Sequence, residues 1–341
     1  MTAPRLADHT TLRVGGPADD WIVATTDVEL VEAVRACDDA RAPVLILGGG
    51  SNLLVGDAGF RGTVVQIATR GADAELVDGG ARVTVAAGES WDDLVSRAVA
   101  HGWTGVEALS GIPGLAGATP VQNVGAYGQD VSQVIESVRA LDRRSGDVVE
   151  LDAAACAFGY RSSAFKADPG RWVVLAATFR LGDSGRGIVR YAELADALGV
   201  PVGGEADAAA IRGAVLSLRA RKGMVLDAAD HDTWSAGSFF TNPVVPADVA
   251  ASIPDCPCYP APDGVKLSAA WLIEQAGVGK GFALGPGARA AISGKHTLAL
   301  TNRGDASADD LVALARAVRE RVSEVFGIVL VPEPVLVGVG V

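Results

Sequence analysis

Residues 105–130, GVEALSGIPGLAGATPVQNVGAYGQD, constrain the fold of this chain more than any other segment. They contain two prolines and many glycines, and they show neither helical nor strand periodicity. A stretch this long without regular structure is usually functional or disordered, and its apolar residues argue against disorder. Small residues let a backbone lie against a ring system, so we expect the segment to wrap a flat cofactor. An elaborate Ω-loop without a ligand is the alternative.

The segments on either side carry alternating helix and strand patterns. A capping box begins at Thr26, Ser90 precedes an amphipathic run, and Ser307 begins a helix that extends to about residue 326. The strand-like runs are PVLIL, TVVQIA, ARVTVAAG, VRALD, VVELD, WVVLAATFRL and IVLVPEPVLVGV. A length of 341 residues predicts two or three domains, with a boundary in the Gly/Ala-rich segment near 200–208.

The composition disfavours several classes of partner. A formal net charge of -12 repels nucleic acid and anionic membrane surfaces. The N-terminus has no apolar signal core, and no apolar run reaches the ~20 residues of a membrane helix. Only Cys256 and Cys258 among the four cysteines are close in sequence, and no second pair completes a zinc site. We therefore expect reduced thiols, no metal and a cytoplasmic location.

Three short segments have the composition of ligand sites. The glycines of GGGSN (48–52) follow a strand and can direct backbone N–H groups at a phosphate, although a plain turn is the alternative. The dinucleotide-binding pattern fits poorly, because LLVGDAGF follows where a helix should begin. FGYRSSAFK (158–166) sets an arginine beside aromatic residues, which suits a carboxylate or phosphate; a surface arginine is the alternative. LRARK (218–222) suits either a phosphate clamp or a solvated helix face.

Ser238 and Glu333 are the most informative single residues. Ser238 follows a glycine but precedes two phenylalanines, so the G-x-S-x-G motif of a hydrolase nucleophile is absent. A hydroxyl in this setting suits donation of one proton to a carbon centre; a buried serine bonded to backbone is the alternative. Glu333 is the single charge in IVLVPEPVLVGV. Because an unpaired buried carboxylate is costly, Glu333 is either exposed or held in a site.

Taken together, these segments resemble the UDP-N-acetylenolpyruvoylglucosamine reductases, flavoenzymes of peptidoglycan precursor synthesis. The resemblance runs from TLRVGGPAD (11–19) to PEPVLVG and includes PVLILGGGSNLLV, IPGLAGATPVQNVGAYG, FGYRSSAFK, AGSFFTNPVV and KLSAAWLIEQAG in the family's order. It implies an α+β fold, with a vanillyl-alcohol-oxidase/PCMH-type FAD-binding region of two subdomains and a C-terminal α+β substrate domain. The implied subdomains are 1–68, with 327–341 packing back on it, and 69–205; the substrate domain is 206–326.

The resemblance also implies roles for individual residues. Arg161 matches the catalytic arginine that binds the substrate carboxylate, Glu333 the catalytic glutamate, and Ser238 the proton donor. YAEL resembles the longer class of the family, in which a tyrosine contacts the substrate. The implied substrate contacts are Tyr160, Tyr191, Lys222 and Asn242. The implied flavin contacts are Gly48, Gly49, Gly50, Ser51, Asn52, Leu53, Ile112, Pro113, Gly117, Ala118, Thr119, Val121, Asn123, Gly125, Ala126 and Arg219.

The reaction that the resemblance implies uses non-covalent FAD, with NADPH as co-substrate. NADPH reduces the flavin, a hydride passes from N5 to C3 of the enolpyruvyl ether, and Ser238 gives a proton to C2. We expect a monomer whose partners are the UDP-sugar and NADPH. The alternatives are a flavin oxidase of the same fold, a serine hydrolase using Ser238 or Ser110, and a non-catalytic nucleotide-binding regulator. His296, within segment 281–296, has no assigned role.

Overall fold

A computed structural model describes residues 4–341; positions 1–3, the start of the predicted first subdomain, lie outside the described residues. The strands are β1 (Ala18–Ala24), β2 (Val44–Leu47), β3 (Leu53–Val55), β4 (Phe60–Ile67), β5 (Ala72–Val77), β6 (Gly80–Ala86), β7 (Gly125–Ala126), β8 (Gln129–Asp130), β9 (Ile135–Asp142), β10 (Asp147–Asp152), β11 (Trp172–Gly182), β12 (Arg186–Ile188), β13 (Glu205–Asp207), β14 (Val244–Val245), β15 (Cys258–Ala261), β16 (Gly264–Leu267), β17 (Ala290–Ile292), β18 (Leu300–Asn302) and β19 (Val335–Val337). The helices are α1 (Asp27–Asp39), α2 (Trp91–Ala100), α3 (Ala164–Ala167), α4 (Ala192–Leu198), α5 (Ala208–Arg221), α6 (Ala247–Ala251), α7 (Ala269–Gln275) and α8 (Ala308–Phe326).

The helix starts follow the predicted caps. Thr26 begins α1 in a capping box with Glu29, Ser90 caps α2, and Ser307 begins α8 in a second capping box. In each case the side-chain oxygen accepts a backbone N–H that has no partner within the helix. Helix α8 ends before Gly327, whose φ of 68° closes the last turn. These predictions from the sequence are confirmed.

The chain divides into two compact units. We call Asp19–Gly49 with Arg61–Arg221 the sheet unit, and residues 4–18 with Gly50–Phe60 and Lys222–Val341 the terminal unit. The division into two flavin subdomains and one substrate domain, with its bounds, stays a prediction.

The sheet unit is built on a five-stranded antiparallel sheet in the order β10-β9-β11-β6-β5. Helix α2 buries Trp91 and Leu94 in the same apolar cluster as Val83 and Phe179 of the sheet. The indole N–H of Trp91 donates to the carbonyl of Leu109 at 3.1 Å. A smaller sheet, β1-β4-β2, shares a second apolar cluster with α1, and a third cluster joins α4 to α5. Segment 105–130 thus begins against a packed helix.

The terminal unit contains three small sheets, β14-β16-β15, β17-β18 and the parallel pair β19-β3. Its core includes the predicted buried stripe of α8, namely Leu311, Leu314, Ala315, Val318 and Val322. Val325 was expected on this stripe, but 45% of its surface is exposed. The neighbouring Phe326 packs on the core and lies 5.8 Å from the ring of Trp271, so it occupies the place that Val325 would take.

The apolar segment before the C-terminus forms less strand than its composition predicts. Only Val335–Val337 is a strand, and residues 328–334 run without a sheet partner apart from a bridge at Pro332. Pro332 and Pro334 have no N–H to donate, so they interrupt a ladder that the valines would otherwise extend.

Within residues 4–341, no helix combines the length and apolar character needed to cross a membrane.

Candidate active site

Ser238 and Glu333 lie on two segments of the terminal unit, 238–241 and 331–333, whose backbones pair with each other. The amide of Glu333 donates to the carbonyl of Phe239 at 2.8 Å. An antiparallel bridge and a second amide bond of 3.0 Å extend the pairing. The fold therefore brings these two predicted catalytic residues onto neighbouring backbone segments, although they are 95 positions apart in the sequence.

Two buried phenylalanines hold the backbone next to Ser238. Phe239 and Phe240 are 0% and 1% exposed, and their rings lie 5.1 Å apart. The amide of Phe239 donates to the carbonyl of Leu298 at 2.7 Å, and the carbonyl of Phe239 accepts the amide of Glu333. Gly237 turns the chain before Ser238 with a φ of 69°. Ser238 itself is only partly buried, so a fixed backbone presents a hydroxyl group that is not sealed in the core.

Two predicted flavin contacts lie beside Glu333. Leu53 pairs with Val335 in the parallel ladder, and the amide of Val335 donates to the carbonyl of Asn52 at 2.9 Å. The side-chain amide of Asn52 donates to the carbonyl of Glu333 at 3.4 Å. Gly50 precedes them with a φ of 61°, and a Cβ there would lie 1.8 Å from a backbone oxygen, so this position requires glycine.

The remaining candidates of the terminal unit are Ser51, Lys222 and Asn242. The carbonyl of Ser51 accepts the hydroxyl of Thr11 at 3.4 Å, and Lys222 is partly buried just after α5. The side-chain oxygen of Asn242 accepts the amide of Ala269, the first residue of α7, at 2.9 Å. With its oxygen committed in this way, the Asn242 amide group presents its N–H donors, which suits an anionic or carbonyl ligand.

Arg161 lies in the sheet unit, at the third position of a four-residue turn that begins at Gly159. Gly159 and Ser162 close the turn through amide bonds of 3.0 and 3.2 Å in both directions. Arg161 has a φ of 51°, a conformation that is rare for a residue with a side chain. Its guanidinium donates to the carbonyl of Gly125 at 2.9 Å and to that of Asn123 at 3.4 Å.

The segment that we expected to wrap a flat cofactor is a series of tight turns, and we call residues 111–128 the flavin loop. A short 3₁₀ turn covers Ala116–Ala118, and β7 and β8 form a small hairpin at its end. Gly117 packs so closely that a Cβ there would lie 2.4 Å from the side chain of Ala87. A Cβ on Gly49 would lie 2.8 Å from the backbone of Gly114, so the backbones approach directly. The other predicted contacts on this loop are Ile112, Pro113, Thr119, Val121 and Ala126.

Arg219 is a desolvated cation whose charge interacts with Tyr127 of the flavin loop and with Asp92. Burial lowers the pKa of its guanidinium to about 10, against the opposing effects of Tyr127 and Asp92, so it stays protonated at neutral pH. Burial also raises the pKa of Tyr127 to about 12. The ring of Tyr127 meets the ring of Tyr191 edge-on at 5.5 Å, which links a predicted substrate contact to the loop. Tyr160 is 49% exposed.

Asp92 and Arg212 are functional candidates that the sequence did not reveal. Asp92 accepts two hydrogen bonds from Arg212, at 2.6 and 2.9 Å, and one from the amide of Gly111 at 2.6 Å. Burial alone would raise the pKa of Asp92, but these donors lower it overall. The carboxylate therefore fixes the first residue of the flavin loop. Partners 120 residues apart leave no local signal in a single sequence.

Ser110, the alternative nucleophile, is not suited to that role. It is 0% exposed and its hydroxyl donates to the carbonyl of Glu107 at 2.7 Å. A nucleophile needs an adjacent base and access to a substrate.

Among the described residues, no cluster of three or more His, Cys, Asp or Glu side chains could hold a metal.

The residues of the sheet unit fit a flavin. Beside Gly48 the backbone is open, since a Cβ there would meet only the side chain of Leu115, at 3.8 Å. Arg219 supplies a buried positive charge, which favours the diphosphate or the reduced ring of a flavin. Small residues along the flavin loop, among them Gly117, Ala118 and Gly125, suit a planar ring.

Comparison with known proteins agrees with this fit. Residues 20–152 match the model of the family "FAD binding domain", and residues 229–337 match "UDP-N-acetylenolpyruvoylglucosamine reductase, C-terminal domain". The chain is 55% identical to UDP-N-acetylenolpyruvoylglucosamine reductase of Cutibacterium acnes, over 98% of this chain and 89% of the relative. It is 54% identical to the enzyme of the same name in Streptomyces coelicolor, with the same coverage of both.

A solved structure of the same kind also matches. The crystal structure of UDP-N-acetylenolpyruvylglucosamine reductase from Thermus caldophilus superposes with a TM-score of 0.67 at 28% identity, covering 98% of this chain and 97% of that one. The fold and the FAD-binding match define an FAD-dependent oxidoreductase with an FAD-binding domain and a C-terminal α+β domain. More narrowly, the chain belongs to the UDP-N-acetylenolpyruvoylglucosamine reductase family.

Proposed function

We propose that the chain catalyses the NADPH-dependent reduction of UDP-N-acetylenolpyruvoylglucosamine to UDP-N-acetylmuramate, as a cytoplasmic monomer. Family membership at 55% identity over 98% of the chain supports the overall reaction. The observation that supports the mechanism is the backbone pairing of 238–241 with 331–333, in which Glu333 bonds to Phe239, the residue after Ser238. When bound, FAD reduced by NADPH supplies a hydride from N5 to C3 of the enolpyruvyl group.

Arg161 binds the substrate carboxylate in this proposal. A guanidinium donates two parallel hydrogen bonds to a carboxylate, and its charge stays fixed at neutral pH. Once C3 has gained a hydride, negative charge develops at C2 and spreads into the carboxylate. A cation already positioned there lowers the barrier because it needs no reorganisation. Glu333, in its protonated form, donates a hydrogen bond to the same carboxylate.

Ser238 delivers the proton to C2 and later regains one from water. A serine hydroxyl is a weak acid, but an enolate carbon is a strong base once it has formed. What this donor needs is a defined position within hydrogen-bond reach of C2. The two backbone bonds of Phe239, to Leu298 and Glu333, hold the peptide next to Ser238. The product gains one hydride and one proton, which completes the D-lactyl ether.

The remaining predicted residues bind substrate or cofactor. Lys222 and Asn242 contact the diphosphate and sugar, and Tyr160 and Tyr191 contact other parts of the substrate. The GGGSN segment with Leu53 receives the FAD diphosphate. The flavin loop residues and Arg219 hold the ring. NADPH and the enolpyruvyl sugar nucleotide enter the same pocket in turn.

Anaerobic flavin spectroscopy tests this function. NADPH should bleach the flavin absorbance of the purified holoprotein, and the enolpyruvyl sugar nucleotide should then restore it, with UDP-N-acetylmuramate as product. Oxygen in place of the sugar nucleotide should restore the colour slowly and release peroxide. Fast oxygen turnover without reaction of the sugar nucleotide would instead identify a flavin oxidase, and no bleaching by NADPH would reject the reductase.

A further inference from the structure

We propose that Lys166 and Asn123 are positioning residues that hold Arg161 in the conformation in which it meets the substrate carboxylate. The inference rests on the proposed function insofar as Arg161 binds that carboxylate. It changes the interpretation of Asn123, which the sequence assigns to flavin binding. It also gives a role to Lys166, which the resemblance leaves unassigned.

The turn that carries Arg161 is strained and needs support. A residue with a Cβ at a φ of 51° costs roughly 1 kcal/mol relative to glycine, and the third position of such a turn ordinarily holds glycine or asparagine. Such strain persists only where the surroundings over-determine the conformation. The support here comes from side chains, because the turn's own backbone bonds link only Gly159 and Ser162.

Lys166 supports the turn from its C-terminal side. Its ammonium donates to the carbonyl of Arg161 at 3.0 Å, the peptide that immediately follows the strained φ angle. Ser163 caps the short helix α3, in which Lys166 lies, by accepting the Lys166 amide at 3.2 Å. The ammonium is thus anchored at its own backbone and bonded to the backbone of the arginine. A charged donor to a carbonyl is stronger than a neutral one.

Asn123 supports the turn from the opposite side. It is buried, and its side-chain N–H donates to the carbonyl of Gly159 at 3.1 Å, while its side-chain oxygen accepts the amide of Ser132 at 3.0 Å. One end of the side chain therefore holds the first residue of the turn, and the other end holds the backbone at Ser132, two residues beyond β8. Its own φ is 48°, a conformation that asparagine tolerates better than most residues.

Asn123 also belongs to a row of contacts between the Arg161 segment and the flavin loop. Ser163 donates its hydroxyl to the carbonyl of Val121, Asn123 binds Gly159, and the guanidinium of Arg161 binds the carbonyls at 123 and 125. These hydrogen bonds fall at every second residue of the flavin loop, 121, 123 and 125, as they do between paired strands. The guanidinium is oriented only while this row is intact.

Loss of either support should impair the step that uses Arg161. We expect Lys166→Met and Asn123→Ala to slow reoxidation of reduced flavin by the enolpyruvyl sugar nucleotide by about 10- to 100-fold, because small misplacements of a catalytic group have effects of this size. In Lys166→Met, flavin reduction by NADPH should stay within about twofold of the parent. The affinity of the Lys166→Met apoprotein for FAD, measured by quenching of flavin fluorescence, should also be unchanged. Lys166→Arg, which keeps a charged donor, should recover most of the rate.

A double-mutant cycle separates positioning from a general structural role. Holoproteins carrying Lys166→Met, Arg161→Met and both changes are compared in single-turnover reoxidation, with Lys280→Met as the exposed-lysine control. If Lys166 acts through Arg161, Lys166→Met has no further effect once Arg161 is absent. Additive effects, or reoxidation by Lys166→Met at the parent rate, would overturn the inference.

The same cycle tests the underlying function separately. Parent-like reoxidation in Arg161→Met would reject the role of Arg161 itself, whatever Lys166 does. If Lys166→Met does not fold, Asn123→Ala replaces it in the cycle with the same criteria. A loss of FAD affinity in Asn123→Ala that accounts for the whole rate defect would return Asn123 to the flavin contacts and reject its positioning role.

Discussion

The segment that carries Ser238 and the turn that carries Arg161 are held in place by different means. Backbone bonds to Leu298 and Glu333 and two buried phenylalanine rings fix the peptide beside Ser238. The Arg161 turn depends instead on a lysine, an asparagine and a serine side chain, and it carries a strained φ angle. Backbone pairing tolerates changes of side chain, whereas the Arg161 turn depends on particular side chains for its hydrogen bonds. The first region can lose its reactive group without losing its shape, whereas the shape of the second depends on the side chains that support it.

Removal of the Ser238 hydroxyl gives the largest effect in this comparison. We expect Ser238→Ala to slow reoxidation of reduced flavin by the sugar nucleotide by about 10²- to 10⁴-fold, since it removes the proton donor. Reduction by NADPH and thermal stability should be unchanged, because the backbone bonds that hold the segment remain. Stopped-flow absorbance of the flavin measures both half-reactions. Ser252→Ala, an exposed serine of the same unit, is the control, and parent-like reoxidation in Ser238→Ala would reject the proton-donor role.

Ser163→Ala should lower the free energy of unfolding, whereas Ser238→Ala should leave it unchanged. Ser163 is 1% exposed, caps α3 and donates to the carbonyl of Val121. Its loss removes a helix cap and leaves a carbonyl without this donor, at a cost of about 1–3 kcal/mol. Urea unfolding followed by circular dichroism measures the change, with the adjacent exposed Ser162→Ala as control. Equal midpoints for the two variants would show that the turn does not depend on this contact.

A smaller effect is expected at the start of the flavin loop, in the response to acid. Because Arg212 and Gly111 hold the pKa of Asp92 below its ordinary value despite burial, the folded state binds this proton less readily than the unfolded state. The resulting stability is present above pH ~4 and is lost as pH falls through the folded-state value. A third of the Asp92 side chain is exposed, so the contribution is discounted to about 1 kcal/mol. Asp92→Asn should remove this part of the acid sensitivity between pH 5 and ~3; an unchanged pH profile of unfolding would contradict the assignment.

Elements with a local cause were predictable from the sequence. The caps at Thr26, Ser90 and Ser307 were confirmed because one side chain and its near neighbours in sequence determine each helix start. Four strands of the five-stranded sheet, β6, β9, β10 and β11, followed from apolar runs, whereas the mostly exposed β5 was not predicted. Val325 was misplaced because a periodic stripe does not say where the core ends, and the C-terminal strand was overestimated because two prolines interrupt its ladder.

The geometry of the site depends on contacts that have no local cause. The motifs identified Arg161, Ser238 and Glu333 as candidates, yet no pattern in them indicates that Arg161 has a positive φ or that Lys166 supports it. Nor does any spacing pair Asp92 with Arg212. Such contacts arise from the packing of distant segments, which a single sequence does not encode in readable form.

The parallel pairing of β3 with β19 has a consequence for how the molecule matures. Asn52 and Glu333, which are bonded beside this ladder, are 281 positions apart, so β3 must wait for its partner until β19 has been synthesised. The ribosome releases earlier segments first, and contacts that close very long loops form slowly. Residues 61–221 are all synthesised before Glu333, whereas the ladder beside Glu333 needs Val335–Val337. A ribosome stalled before residue 333 therefore holds a chain in which the sheet unit has been made and the pairing beside Glu333 has not.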